Sequence, residues 1–127
     1  MTRQQPRTQA LGALYAAEAQ RRDEPDVADL SARATRLVRG VWEHRDELDE
    51  AIATASAGWR LERMPAVDRN LLRLALFELR YTDTPVGVIA SEAVKLAKEY
   101  STERSGSFVN GVIAALAEDR TPAPGTA

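Results

Sequence analysis

No cysteine occurs among the 127 residues, which excludes disulfides and zinc–thiolate sites and suits a cytoplasmic location. The single histidine, His44, has no neighbours at metal-ligand spacing. P-loop, GxGxxG and HExxH patterns are absent, and a Ser-His-Asp triad using His44 is formally possible but has no supporting motif, so the residues point to no catalytic site, metal or cofactor. No apolar run approaches the roughly eighteen residues of a membrane span. The start, MTRQQPRTQA, has no apolar signal core. Aromatics are only 6% of the chain and net charge is −2, so a general polyanion binder is excluded and any contact with RNA should be local. Two-residue alternation and internal repeats are missing as well, which leaves an all-α domain.

What is present is organised around residues 58–81, GWRLERMPAVDRNLLRLALFELRY. Leu71, Leu72, Leu74, Ala75, Leu76, Phe77 and Leu79 make a helix over 66–80 that is apolar most of the way round. Such a helix is surrounded by other elements. Periodicity leaves open whether its apolar excess is absorbed within one chain or in a homodimer. Arg69, Arg73 and Arg80 lie close to one line along it. That strip reads either as a solvated face or as a docking edge for a nucleic acid or an acidic protein. Charge counts favour docking: residues 1–22 carry four Arg against one Glu, residues 23–59 four Arg against nine acids, and residues 60–81 five Arg against three acids.

Taken in order, Pro6 opens a first helix with Ala10, Leu11, Leu14 and Ala17 on its apolar face. Asp26 is placed to cap the next helix. Leu30, Ala34, Leu37, Val41, His44, Leu48, Ile52 and Ala55 keep steps of three and four, predicting one long helix from 27 to 57 with a bend near Gly40 and Gly58 as its terminator. His44 is expected to be a packed, hydrogen-bonded core-edge residue. Glu43, Asp46, Glu47, Asp49 and Glu50 read as a solvated face. After the turn at 82–85, Val86 to Tyr100 form another helix, Ser101 to Gly106 a polar loop, and Phe108 to Leu116 the last helix. Residues 1–119 form one domain in this reading, and 120–127 a disordered tail.

Three blocks resemble the NusB family of antitermination factors: ALY at 13–15, PAVDRNLLRLALFELRY with the later Pro85, and ASEAVKLAKEYSTERSGSFVNGVIAAL at 90–116. The resemblance implies a compact fold of two packed helical bundles without enzymatic activity. It further implies a heterodimer with the ribosomal protein NusE that binds boxA RNA of ribosomal RNA operon leaders. That complex joins RNA polymerase and other Nus factors and keeps ribosomal RNA transcription processive. Position by position, it implies RNA contacts at Arg3, Arg7, Phe108 and Asn110. Tyr15, Asp68, Arg69 and Arg73 would face the partner, with Arg69 and Arg73 able to serve either ligand. Phe108 could equally be core, Asn110 could cap its helix, and Gly111 most simply permits close backbone approach.

The chain departs from the family pattern where Gln4, Gln5 and Pro6 interrupt the arginine cluster at the start. Ser107 stands for the basic residue before FVNG, and Ser91 for the usual asparagine. These departures predict weak RNA binding alone and strong dependence on NusE. The competing reading is a helical adaptor that binds NusE with little or no RNA contact.

Overall fold

A computed structural model describes residues 5–118 and 120. Six α-helices are formed: α1 (Pro6–Ala19), α2 (Ala32–Glu43), α3 (Arg45–Ala55), α4 (Ala66–Tyr81), α5 (Val86–Tyr100) and α6 (Glu103–Ala117). A short 3-10 turn, Leu61–Arg63, precedes α4, and no strand occurs among the described residues. Helix α4 is the axis and packs against all five others. Around it, α1–α3 make one group, and α4, α5 and α6 pack mutually as the other.

The apolar excess of α4 is absorbed within the chain. Leu71, Leu72, Leu74, Ala75, Leu76 and Leu79 are all buried, in one core with residues from every other helix. Burial at roughly 1.5–3 kcal/mol per large side chain makes α4 the main source of stability.

The long helix expected over 27–57 is instead a turn followed by two helices. Asp26 accepts from the Ala28 N–H in the turn, and Ser31 is the residue that caps α2, accepting from the Ala34 N–H. The break falls at His44 rather than Gly40, with φ −102° and ψ 14°. Both flanking backbone bonds persist, His44 N to Gly40 O and Leu48 N to His44 O. The apolar stripe therefore runs through the kink uninterrupted, and periodicity alone gives no sign of it. His44 is half-buried as expected, stacked on Tyr81 with centroids 4.4 Å apart and with Nδ1 2.8 Å from Glu47.

Gly40 has a different task. A Cβ there would come within 2.2 Å of the Phe77 ring, so glycine lets α2 press directly onto α4. Gly40→Ala should cost about 1 kcal/mol in urea unfolding, overpacking of about 2 outweighing the helix-propensity gain of about 1. Adding Phe77→Leu should recover part of that loss. An unchanged midpoint for Gly40→Ala would contradict the packing.

Two further boundaries differ from expectation. The left-handed turn after α3 begins at Ala57 (φ 50°), one residue before Gly58 (φ 95°). The polar loop is shorter than 101–106, because Thr102 caps α6 through Ser105 N and the helix starts at Glu103. Arg120, the first residue of the expected tail, donates to the Thr84 and Thr82 carbonyls at 2.7 Å each. The rest of the expected tail, 121–127, lies outside the described residues.

Candidate nucleic-acid and partner interface

The arginine strip of α4 faces its own chain. Arg69 donates to Glu18 of α1 and to the Leu61 and Met64 carbonyls at 2.8 and 2.9 Å. Arg73 donates to both Asp49 oxygens at 2.7 and 2.9 Å, to Glu18 at 2.9 Å and to Asn70 at 3.0 Å. One guanidinium thus joins α1, α3 and α4. Arg80 pairs with Glu47 at 3.0 Å at the surface, so Glu47 stays on the expected solvated face, whereas Asp49 is drawn inward by Arg73. The docking edge expected from Arg69 and Arg73 is corrected accordingly. Their side chains are only 14% and 10% exposed, at the floor of an open groove of about 880 Å³ bordered by Trp59 and Arg60. Burial would raise the Glu18 pKa, but the bonds from Arg69 and Arg73 outweigh it and hold the carboxyl below its usual range. Burial likewise opposes the charge of Arg73, and Asp49 and Glu18 overcome it, raising its pKa.

Arg7, expected on RNA phosphates, forms a two-bond pair with Glu78 at 2.7 and 2.8 Å and is 15% exposed. The hydrogen bond to Glu78 is the main cause that raises its pKa. It straps the start of α1 to the end of α4 and is not a free cation. Arg3 lies outside the described residues. Asp68, expected to face the partner, is 2% exposed in the first turn of α4, and its Oδ1 has no hydrogen-bond partner. A side chain so enclosed cannot contact a second protein without the domain opening.

Two surface features remain. Phe108 is half-buried on α6 and meets Trp59 edge to face, centroids 6.0 Å apart. Trp59 is 58% exposed, an outlier for so large an apolar group. The left-handed pair Ala57 and Gly58 turns the chain immediately before it. Arg60 follows it, and Arg104 stands one turn before Phe108; both are exposed. Gly111 lies a turn beyond Phe108 with nothing within 4 Å of where a Cβ would sit, so it leaves open space rather than serving a close backbone contact. Asn110 is exposed but about 200° around the helix from Phe108. It lies well inside α6, so it caps nothing. In sequence, Trp59 with Leu61 and Met64 reads as a short apolar bridge, and the position of Trp59 between Gly58 and the basic Arg60 was the available signal of its exposure.

The second feature is a groove of about 350 Å³ between α1, the start of α4 and the end of α5, lined by Thr8, Leu11, Gly12, Tyr15, Val67 and Tyr100. Tyr15 and Tyr100 are 46% and 48% exposed on its rim. Rigid aromatics that keep an apolar body and a polar tip in solvent are the usual anchors of protein interfaces.

Comparison with known proteins fits this architecture. The sequence matches the NusB family profile over residues 4–118. It is 54% identical to the transcription antitermination protein NusB of Anaeromyxobacter dehalogenans over 79% of this chain and 68% of that one. It is 44% identical to the NusB protein of Acidothermus cellulolyticus over 97% and 95%. Among solved structures, NusB of T. maritima superposes with a TM-score of 0.81 at 34% identity, covering 96% of each chain. A crystal structure of the antitermination factors NusB and NusE in complex with double-stranded RNA aligns at a TM-score of 0.70 and 28% identity, over 89% of this chain and 93% of that one. With the profile spanning nearly all of the six-helix domain, the chain belongs to the NusB family of transcription antitermination factors.

Proposed function

We propose that this chain acts with NusE as the RNA-binding unit that holds boxA RNA of ribosomal RNA operon leaders to the elongating polymerase and its other Nus factors. The observation that carries the reading is the exposed Trp59 ring set against half-buried Phe108, with exposed Arg60 and Arg104 close to them in sequence. Single-stranded bases are held by stacking on aromatic planes while cations take the phosphates. The space above Gly111 gives a base room beside Phe108. NusE would occupy the Tyr15–Tyr100 groove, which lies on other elements, so one chain could hold RNA and protein together. A related NusB has been crystallised with NusE and RNA, which supports the pairing of partners.

With Arg7, Arg69 and Arg73 tied up internally, few cations remain near the aromatic pair. RNA affinity of the isolated chain should therefore be low and should rise sharply when NusE adds surface. Trp59→Ala should weaken boxA binding by about 1–3 kcal/mol, or roughly five- to 150-fold, in a gel-shift titration with NusE present. NusE affinity should stay unchanged. Tyr15→Ala should do the converse. If neither protein alone nor the pair retains boxA RNA above a scrambled control while NusE still binds, the adaptor reading replaces this one.

A further inference from the structure

Two groups of arginines stand in contrast among the described residues. Arg7, Arg69, Arg73 and Arg80 are all held by carboxylates of the same chain. Arg33, Arg36 and Arg39 of α2 are exposed, and none makes an ion pair or side-chain hydrogen bond among the described residues. The segment 32–42 carries these three arginines and no acid. Its positive charge disappears when counted together with the acidic residues before and after it.

On α2 the buried positions are Ala34, Leu37, Val38 and Val41. At about 100° per residue, Arg33, Arg36 and Arg39 fall on the opposite face, spaced about 4.5 Å along the axis and covering about 9 Å. Helix stability does not explain them. Arg33 and Arg36 stand in the first turns, where the helix dipole disfavours cations, and the first turn holds no acid. Asp29 and Glu43 flank the row at either end without bonding to it. Nor does the face look like a protein-docking surface. The large exposed apolar side chains are Tyr15, Trp59, Tyr81, Val88 and Tyr100, none of them on α2, and protein interfaces need such anchors.

The position of the row matters as much as its charge. Ser31 N donates to Gln9 Oε1 at 3.2 Å, which fixes the start of α2 beside the first turn of α1. The row therefore begins beside the first turn of α1.

We propose that the outer face of α2, through Arg33, Arg36 and Arg39, is a second phosphate-contact surface along which an RNA backbone runs. The proposal rests on the RNA-binding reading above. It supplies, from a helix, the charge that the arginine-poor start lacks. Three guanidinium groups at helical spacing can each take a phosphate, and contacts of this kind position RNA without reading its sequence.

The test is the triple variant Arg33→Gln, Arg36→Gln, Arg39→Gln, titrated in complex with NusE against boxA RNA and a scrambled RNA across a salt series. The salt slope should fall by about 2, at about 0.7 per phosphate on single strands. With the 1 M intercept unchanged, that is about a hundredfold weaker binding at 0.1 M salt. The loss should be equal for both RNAs, leaving their ratio as in the unmodified protein. An unchanged slope with intact binding overturns the α2 surface and leaves the Trp59–Phe108 reading standing. Loss of NusE binding instead makes α2 a protein interface and also overturns it. Absence of boxA retention by the unmodified complex overturns both readings. Circular dichroism should match the unmodified protein, since all three side chains are exposed.

Discussion

Arg73→Ala is expected to lower the free energy of unfolding by about 2–4 kcal/mol in urea denaturation, the low side of what breaking a buried ion pair costs. The reason is what the substitution leaves behind. Glu18 and Asp49 remain folded against α4 with side chains only 29% and 27% exposed, each having lost its Arg73 donors, and Asn70 Oδ1 loses its donor too. Glu18 retains Arg69, so the damage concentrates at Asp49 and at the α3–α4 contact. The effect should depend on pH. The Glu18 pKa lies below its unfolded value, so the stability it contributes is present above about pH 4.3 and is lost as pH falls through the folded value. The gap between the two proteins should narrow below about pH 4. If Asp49→Asn is added, the damage should shrink, because an amide is cheaper to leave unpaired than a carboxylate. A gap that stays constant from pH 7 to pH 3 would show that Arg73 acts by packing alone.

Helix α4 was legible in the sequence because nothing in its pattern is ambiguous: six buried aliphatic side chains in nine residues allow no other arrangement. The strip on the same helix was misjudged for a physical reason. An arginine line looks alike whether it meets solvent or carboxylates, and the partners Glu18, Asp49 and Glu47 are separated from it in sequence by 51, 24 and 33 residues. The kink at His44 was invisible because it preserves both the apolar period and the flanking hydrogen bonds. Trp59 and the α2 row were masked by averaging. One was grouped with Leu61 and Met64 as a short apolar bridge; the other was summed with nine acids over 23–59. The family resemblance points to Phe108 and Asp68 alike through its motifs, and it could not separate a half-exposed ring on α6 from a carboxylate that is buried.

Asp68→Lys is expected to abolish the folded state: about 4 kcal/mol or more lost, from a total that for such domains is commonly about 5–15 kcal/mol. Asp68 is 2% exposed, three residues after Pro65, in the first turn of α4. At that place a carboxylate is favoured by the unpaired N–H groups and the positive end of the helix, and this can compensate for an oxygen without a partner. Lysine reverses the sign of the dipole interaction, adds length inside a packed core and brings a cation into an apolar site at a cost of several kcal/mol. The expected readout is loss of the cooperative thermal transition and of the helical circular dichroism signal, with loss of NusE binding as a consequence. Asp68→Asn is the control. It keeps the volume and one acceptor oxygen and forfeits the charge, so its cost should be limited to the dipole contribution, about 0.3–2 kcal/mol, with NusE binding retained. The alternative, that Asp68 contacts the partner directly, makes the opposite pair of statements. Asp68→Lys would then keep a native spectrum and transition while losing NusE, and Asp68→Asn would weaken NusE binding without changing stability.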